Sequence, residues 1–133
     1  MQLKDDAALI RPTAGHDLVV TADALVAGVH FYADDPPASI ALKALGVNLS
    51  DLAAKGAEPA GFLLGLALPP GWSPDWLAEF ARGLGLAADR GLCPLLGGDT
   101  VRTPGPLTLS ITAFGEVPAG RMVRRTTARA GDI

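Results

Sequence analysis

The run from Pro106 to Val117 limits the fold of this chain more than any other segment. Leu107, Leu109, Ile111 and Ala113 alternate there with Thr108, Ser110, Thr112 and Phe114. A period of two puts the first set on one face of an extended segment and the second set on the other. A strand with one apolar face needs neighbouring strands and an apolar layer across it, so the chain must build a covered sheet. Two other segments have the pattern of covering helices. Asp34-Asp35-Pro36-Pro37 is a helix-start signal, and from Ala38 to Lys55 the residues Ile40, Ala44, Val47 and Leu52 fall near one face, with Gly56 as the stop. Ser73-Pro74-Asp75-Trp76 opens a second helix with Ser73 as N-cap, running to about Arg90 before Gly91.

The remaining elements are short. Asp17 to Thr21 reads as a strand, and Ala24 to Phe31 is compatible with a second extended segment beyond Asp23. Phe62 to Leu68 reads as a buried strand, Leu92 to Leu96 as a short one, and Gly97-Gly98-Asp99-Thr100 as a loop. Sixteen Gly and eleven Pro supply the turns between them. The order β(β)αβαββ gives an α+β sandwich with helices on one side of the sheet. Its far face carries small and apolar residues and asks for a partner.

A length of 133 residues suits one compact domain, and 49% apolar against 19% charged residues excludes a disordered chain. The net charge of −3 argues against a nucleic-acid-binding surface. Arg121, Arg124, Arg125 and Arg129 nevertheless collect near the end, either as a solvated tail or as an anion-binding segment. The single Cys93 rules out an internal disulfide, fits a reducing cytosol, and among Leu92, Leu95 and Leu96 reads as a core thiol. The first residues, Met1 to Asp6, carry acids where a signal peptide needs an apolar run. The longest apolar stretch, Phe62 to Leu68, is too short to span a bilayer. A cytoplasmic protein that binds neither membrane nor nucleic acid is expected.

The chain has no G-x-x-x-x-G-K-[ST] loop, C-x-x-C, H-E-x-x-H or dinucleotide fingerprint. Its acids are more informative. Asp6, Asp23, Asp51 and Asp99 each sit at an element boundary or among apolar residues. Two carboxylates within about 6 Å repel by about 3 kcal/mol at an effective dielectric near 20, so a cluster of them needs protons or cations. Hard oxygen ligands select Mg²⁺ or Mn²⁺. Taken singly, each acid reads first as a cap or a solvated charge, and Asp51 as an i,i+4 partner of Lys55. Gly97-Gly98 before Asp99 lets backbone N–H groups approach an anion, or forms an ordinary turn.

Several strings together resemble the thiamine-monophosphate kinase family. They are Asp5-Asp6-Ala7-Ala8-Leu9, Thr21-Ala22-Asp23-Ala24-Leu25-Val26-Ala27-Gly28-Val29-His30-Phe31, Ala44 through Ala57 with Asn48-Leu49-Ser50-Asp51-Leu52-Ala53-Ala54, Leu96-Gly97-Gly98-Asp99-Thr100, and Gly120-Arg121 through Arg125. The resemblance covers nearly the whole chain, in order. It is more specific than the likeness to superfamily relatives such as aminoimidazole ribonucleotide synthetase. It implies transfer of the γ-phosphoryl of ATP to thiamine monophosphate, giving thiamine diphosphate. It further implies Mg²⁺ held by Asp6, Thr21, Asp23, Asp51 and Asp99, ATP contacts at Gly98, Asp99 and Arg125, and a substrate contact at His30. No catalytic residue beyond metal and phosphate positioning is implied. The implied fold is a mixed, largely antiparallel sheet with helices on one face, pairing with a second copy into a dimeric β-barrel.

The chain departs from that family's pattern in three ways. Ala22 stands at a usual hydroxyl position, Lys4 stands at a usual glycine position, and the family continues into a second domain. Residues 1–133 therefore read as an N-terminal ATP- and Mg²⁺-binding, dimerising domain, and Gly131-Asp132-Ile133 as the start of a further strand. Two alternatives remain: another ATP-using enzyme of the superfamily, and a catalytically silent dimerisation or nucleotide-binding fragment.

Overall fold

The computed structural model describes residues 7–132. Along the chain come β1 (His16–Val26), α1 (Pro37–Ala54), β2 (Glu58–Leu68), α2 (Pro74–Arg90), β3 (Leu95–Arg102), β4 (Thr108–Pro118) and a short 3₁₀ turn at Arg125–Thr127. The four strands form one open sheet in the order β1-β4-β2-β3. β4 is antiparallel to both β1 and β2, and β2 is parallel to β3. The architecture is α+β with a mixed, largely antiparallel sheet.

The alternation in β4 behaves as its spacing requires: Leu109, Ile111 and Ala113 are fully buried, while Ser110 is exposed. The buried face meets α1 through Ile40, Ala44, Leu45 and Leu52. At the end of α1, Gly56 takes φ 70°. The N–H of Gly56 reaches the Ala53 carbonyl at 2.9 Å and that of Ala57 reaches Leu52 at 3.0 Å, a paired cap that satisfies the last turn. The start of α2 is capped as its sequence indicates, with the Trp76 N–H donating to Ser73 Oγ at 3.1 Å. α2 packs on α1, and the contact is close because Gly83 has no side chain: a Cβ there would lie 2.5 Å from Ala38 Cα. Cys93 is enclosed in the core, and burial pushes its thiol pKa up, which keeps it protonated and inert. Leu18, Val20 and Val101 are exposed on the opposite face of the sheet.

Three expectations are corrected. β1 runs unbroken through Asp23 to Val26, so Asp23 lies inside a strand and not at its end. The segment beyond it is a tight turn, in which the Gly28 N–H donates to the Phe31 carbonyl at 2.8 Å and the His30 N–H to that of Val26 at 2.9 Å. The stretch Gly97–Thr100 is likewise strand and not loop, because its partner is the distant β2. Gly98 makes this pairing possible: at φ 148° its missing Cβ would fall 1.9 Å from the Leu64 carbonyl oxygen. Leu92, read as the start of that strand, is instead an 80% exposed residue at φ 50° that turns the chain out of α2. Among the described residues no helix is long and apolar enough to cross a membrane.

Candidate active site between β1 and α1

Within β1, Val19 and Leu25 point to the helix-covered face. Thr21 and Asp23 share that face by the two-residue period. Across from them, α1 presents Lys43, Val47, Asp51 and Lys55, each one turn from the next. The two rows meet where Thr21 Oγ1 donates to Asp51 Oδ2 at 3.0 Å. The local pair between Asp51 and Lys55 does not form; among the described residues the one ion pair is Arg82–Glu79 at 3.8 Å.

Two cavities lie along this groove. One, of about 620 Å³, is bounded by Thr21, Asp51 and Lys55 and closed by Met122, Val123, Arg124 and Arg125. The arginines reach it because the Val123 N–H donates to the Lys55 carbonyl at 3.1 Å, tying the segment after β4 to the end of α1. The other, of about 400 Å³, is bounded by Asp23, Leu25, Val29, His30, Lys43 and Val47. In its rim the Val26 N–H donates to His30 Nδ1 at 3.0 Å, and Lys43 Nζ donates to the His30 carbonyl. The acid-bearing middle of the groove is thus flanked by cationic or donor groups at both ends.

The residues implied by resemblance are only partly brought together. Thr21, Asp23, Asp51, Arg125 and His30 line the one groove. Asp6 lies outside the described residues. Gly98 and Asp99 sit on β3, at the far edge of the sheet. Asp23 pairs with Ile111, Ile111 with Leu64, and Leu64 with Gly98. Three strand spacings separate the two edges, about 14 Å at the usual spacing. Asp99 also faces the uncovered side, where it lines a cavity of about 230 Å³ with Gly65, Val101 and Ser110. Among the described residues no three His, Cys, Asp or Glu side chains converge on a point that could hold a metal. One chain therefore does not gather the four acids into one cluster. The donors that do meet, a threonine hydroxyl and a carboxylate with a second carboxylate two residues along the same strand face, are all oxygen. Such a set suits Mg²⁺, which keeps waters and completes its shell with substrate phosphate.

Lys43 carries no mark in the sequence reading, and Lys55 enters it only as a local partner for Asp51. The signal for the lysines was present as a stripe with Val47 and Asp51 along α1. For Arg124 the arginine cluster is the local signal, while its place in the groove comes from the backbone bond between Val123 and Lys55.

The family described as AIR synthase related protein, N-terminal domain, matches residues 4–117. The chain belongs to that family. It is 49% identical over 132 residues to the thiamine-monophosphate kinase of Synechococcus elongatus, covering 98% of this chain and 40% of the relative. Among solved structures, the thiamine-monophosphate kinase from Stenotrophomonas maltophilia K279a superposes with a TM-score of 0.85 at 50% identity, over 94% of this chain and 39% of that one. AaThiL complexed with AMPPCP and TMP superposes with a TM-score of 0.82 at 30% identity, over 90% of this chain and 38% of that one. The chain thus spans about 40% of the length of the curated relatives it matches.

Proposed function

We propose that this chain forms the nucleotide- and metal-binding part of an enzyme that transfers the γ-phosphoryl group of ATP to thiamine monophosphate, giving thiamine diphosphate. The observation that carries the reading is the groove itself: Thr21 bonded to Asp51 at 3.0 Å, with Arg124 and Arg125 at one end and His30 and Lys43 at the other. The likeness to a structure complexed with AMPPCP and TMP supports the same reading. Phosphoryl transfer asks a protein for positioning and charge neutralisation more than for covalent work. Asp23, Asp51 and Thr21, with Asp6 by resemblance, would hold Mg²⁺, which supplies neutralisation of the phosphate charge. Arg125 binds triphosphate oxygens from the side of the larger cavity, and His30 orients the acceptor at the smaller one. The accepting phosphate oxygen is already anionic, so no general base is required.

The reading includes a second copy of the chain. β1 and β3 are the free edges of the sheet, and its uncovered face carries Val20, Ala22, Ala24, Gly65, Ala67 and Val101. A two-fold closure setting β1 of one copy beside β3 of the other brings the Gly98–Asp99 backbone next to the strand that carries Thr21 and Asp23. ATP would then be held between two copies.

The direct test is to incubate the protein, at its natural length, with ATP, Mg²⁺ and thiamine monophosphate and follow thiamine diphosphate by chromatography. No product from thiamine monophosphate, with turnover of some other acceptor, would sink the substrate assignment. For the shared site, Asp23→Ala and Asp99→Ala proteins, each inactive alone, should regain about a quarter of the parent activity when mixed and re-associated, since half the dimers are mixed and each of those has one intact site. No recovery from mixed dimers would show that both acids serve one copy.

A further inference from the structure

We infer that Asp17 is a positioning residue for the nucleotide site: its carboxylate anchors the exposed segment that carries Arg124 and Arg125 to the larger cavity, and so sets how well that cavity binds phosphate; this rests on the phosphoryl-transfer reading. Asp17 lies near the start of β1, on the face that also presents Val19 and Thr21, and it lines neither cavity of the groove. Its Oδ2 accepts from the Gly120 N–H at 2.8 Å, across 103 residues of chain. The donor sits in a turn. The Arg121 N–H reaches the Pro118 carbonyl at 2.9 Å, and Gly120 takes φ 74° at the third position, as a type II turn requires. That closure leaves the Gly120 N–H over, and Asp17 accepts from it.

The segment beyond the turn has little else to hold it. From Pro118 to Asp132 every described residue is exposed, so packing contributes little. Among the described residues three N–H groups beyond β4 tie it to the body of the fold: Ala119 to the Gly15 carbonyl at 2.9 Å, Gly120 to Asp17, and Val123 to the Lys55 carbonyl at 3.1 Å. Only the Asp17 bond uses a side chain and a charge, which makes it the stronger kind. Arg124 and Arg125 come directly after Val123, and Arg125 opens the 3₁₀ turn. The place of both guanidinium groups therefore follows from where the segment is pinned. A loosened segment reaches the cavity only part of the time, and a ligand's apparent affinity falls by that fraction. Charge alone predicts the opposite. A carboxylate on the strand face that borders the groove repels a phosphate, so on electrostatic grounds its removal would tighten binding.

The test is calorimetric titration of AMPPCP, in Mg²⁺, into the protein at its natural length, with amide hydrogen exchange followed on the same samples. Asp17→Ala should weaken binding by about tenfold, the value of one hydrogen bond to a charged group, while Asp17→Asn, whose amide oxygen still accepts, should stay within about threefold of the parent. Both variants lose the same charge, so the difference between them isolates the bond. In an Arg125→Ala background the loss from Asp17→Ala should shrink to about threefold or less, since half of what the segment delivers is gone. Without ligand, Asp17→Ala should speed exchange of the Val123 amide and leave that of Ile111, inside β4, unchanged. Unchanged or tighter binding by Asp17→Ala, equal losses in the two Asp17 variants, an undiminished loss in the Arg125→Ala background, or unaltered Val123 exchange overturns the role. A parent that does not bind AMPPCP overturns the phosphoryl-transfer reading and this role together. Weakening by Arg125→Ala with none by Asp17→Ala overturns the role alone.

Discussion

Asp51 has a lysine one turn away on its own helix, yet its carboxylate accepts from Thr21, thirty residues back on β1. That choice turns Oδ2 toward β1 and the groove. Asp51→Asn should preserve the Thr21 bond, since the amide oxygen still accepts, while removing the charge a cation requires. The proposed phosphoryl-transfer activity of the natural-length protein should fall by about 100-fold or more, as when one electrostatic contact to a transferring group is lost. The melting temperature should move by only a few degrees, read in the same preparation by calorimetry. Retention of activity within tenfold would remove Asp51 from the metal site. Gly98 is constrained by sterics. With the Leu64 carbonyl 1.9 Å from where a Cβ would sit, Gly98→Ala must push β3 off β2. A loss of about 3 kcal/mol or more in urea unfolding is expected, and a loss below about 1 kcal/mol would mean the edge strand shifts freely.

At the level of elements, the two helices and the alternating β4 were legible because each is specified by its own residues. Ser73 caps α2, Gly56 closes α1, and the period of two in β4 needs no knowledge of its neighbours. β3 was misread because Gly-Gly-Asp-Thr has turn composition, and only pairing with β2 makes it a strand. Asp23 was placed at a strand end because a charge inside β1 makes sense only once the groove is known. The site followed the same division. Its residue types were legible through motif spacing, whereas the approach of Arg125 to Asp51 and the 14 Å or so between Asp23 and Asp99 depend on sheet order, which no local pattern encodes. The packing of α2 on α1 offers a paired test. Gly83→Ala puts a Cβ 2.5 Å from Ala38 Cα and should cost about 1–3 kcal/mol despite better helix propensity. Gly85→Ala, two residues on, has nothing within 4 Å and should stabilise by about 0.5–1 kcal/mol. Equal effects at the two positions in denaturant titrations would contradict the close crossing.

For the molecule as a whole, the uncovered sheet face makes assembly the quantity to measure. Val20 is 54% exposed on that face, so Val20→Lys should leave the fold of one copy intact. Light scattering should show a dimer for the parent at micromolar concentration and a monomer for the variant, with far-ultraviolet dichroism unchanged. A parent that is monomeric would dismiss the two-copy site. The order of strands also sets a schedule for folding. Among the described strands β1 is made first and β4 last, and β4 is the only one of them that β1 pairs with, from His16–Pro118 to Val26–Thr108. At about 5–20 residues per second, a ribosome leaves β1 without its neighbour for roughly 5–20 s. Through that interval Leu18, Val19 and Val20 are a bare apolar ribbon on a tethered, unfinished chain. Its yield in a cell therefore depends on what guards that ribbon until β4 emerges.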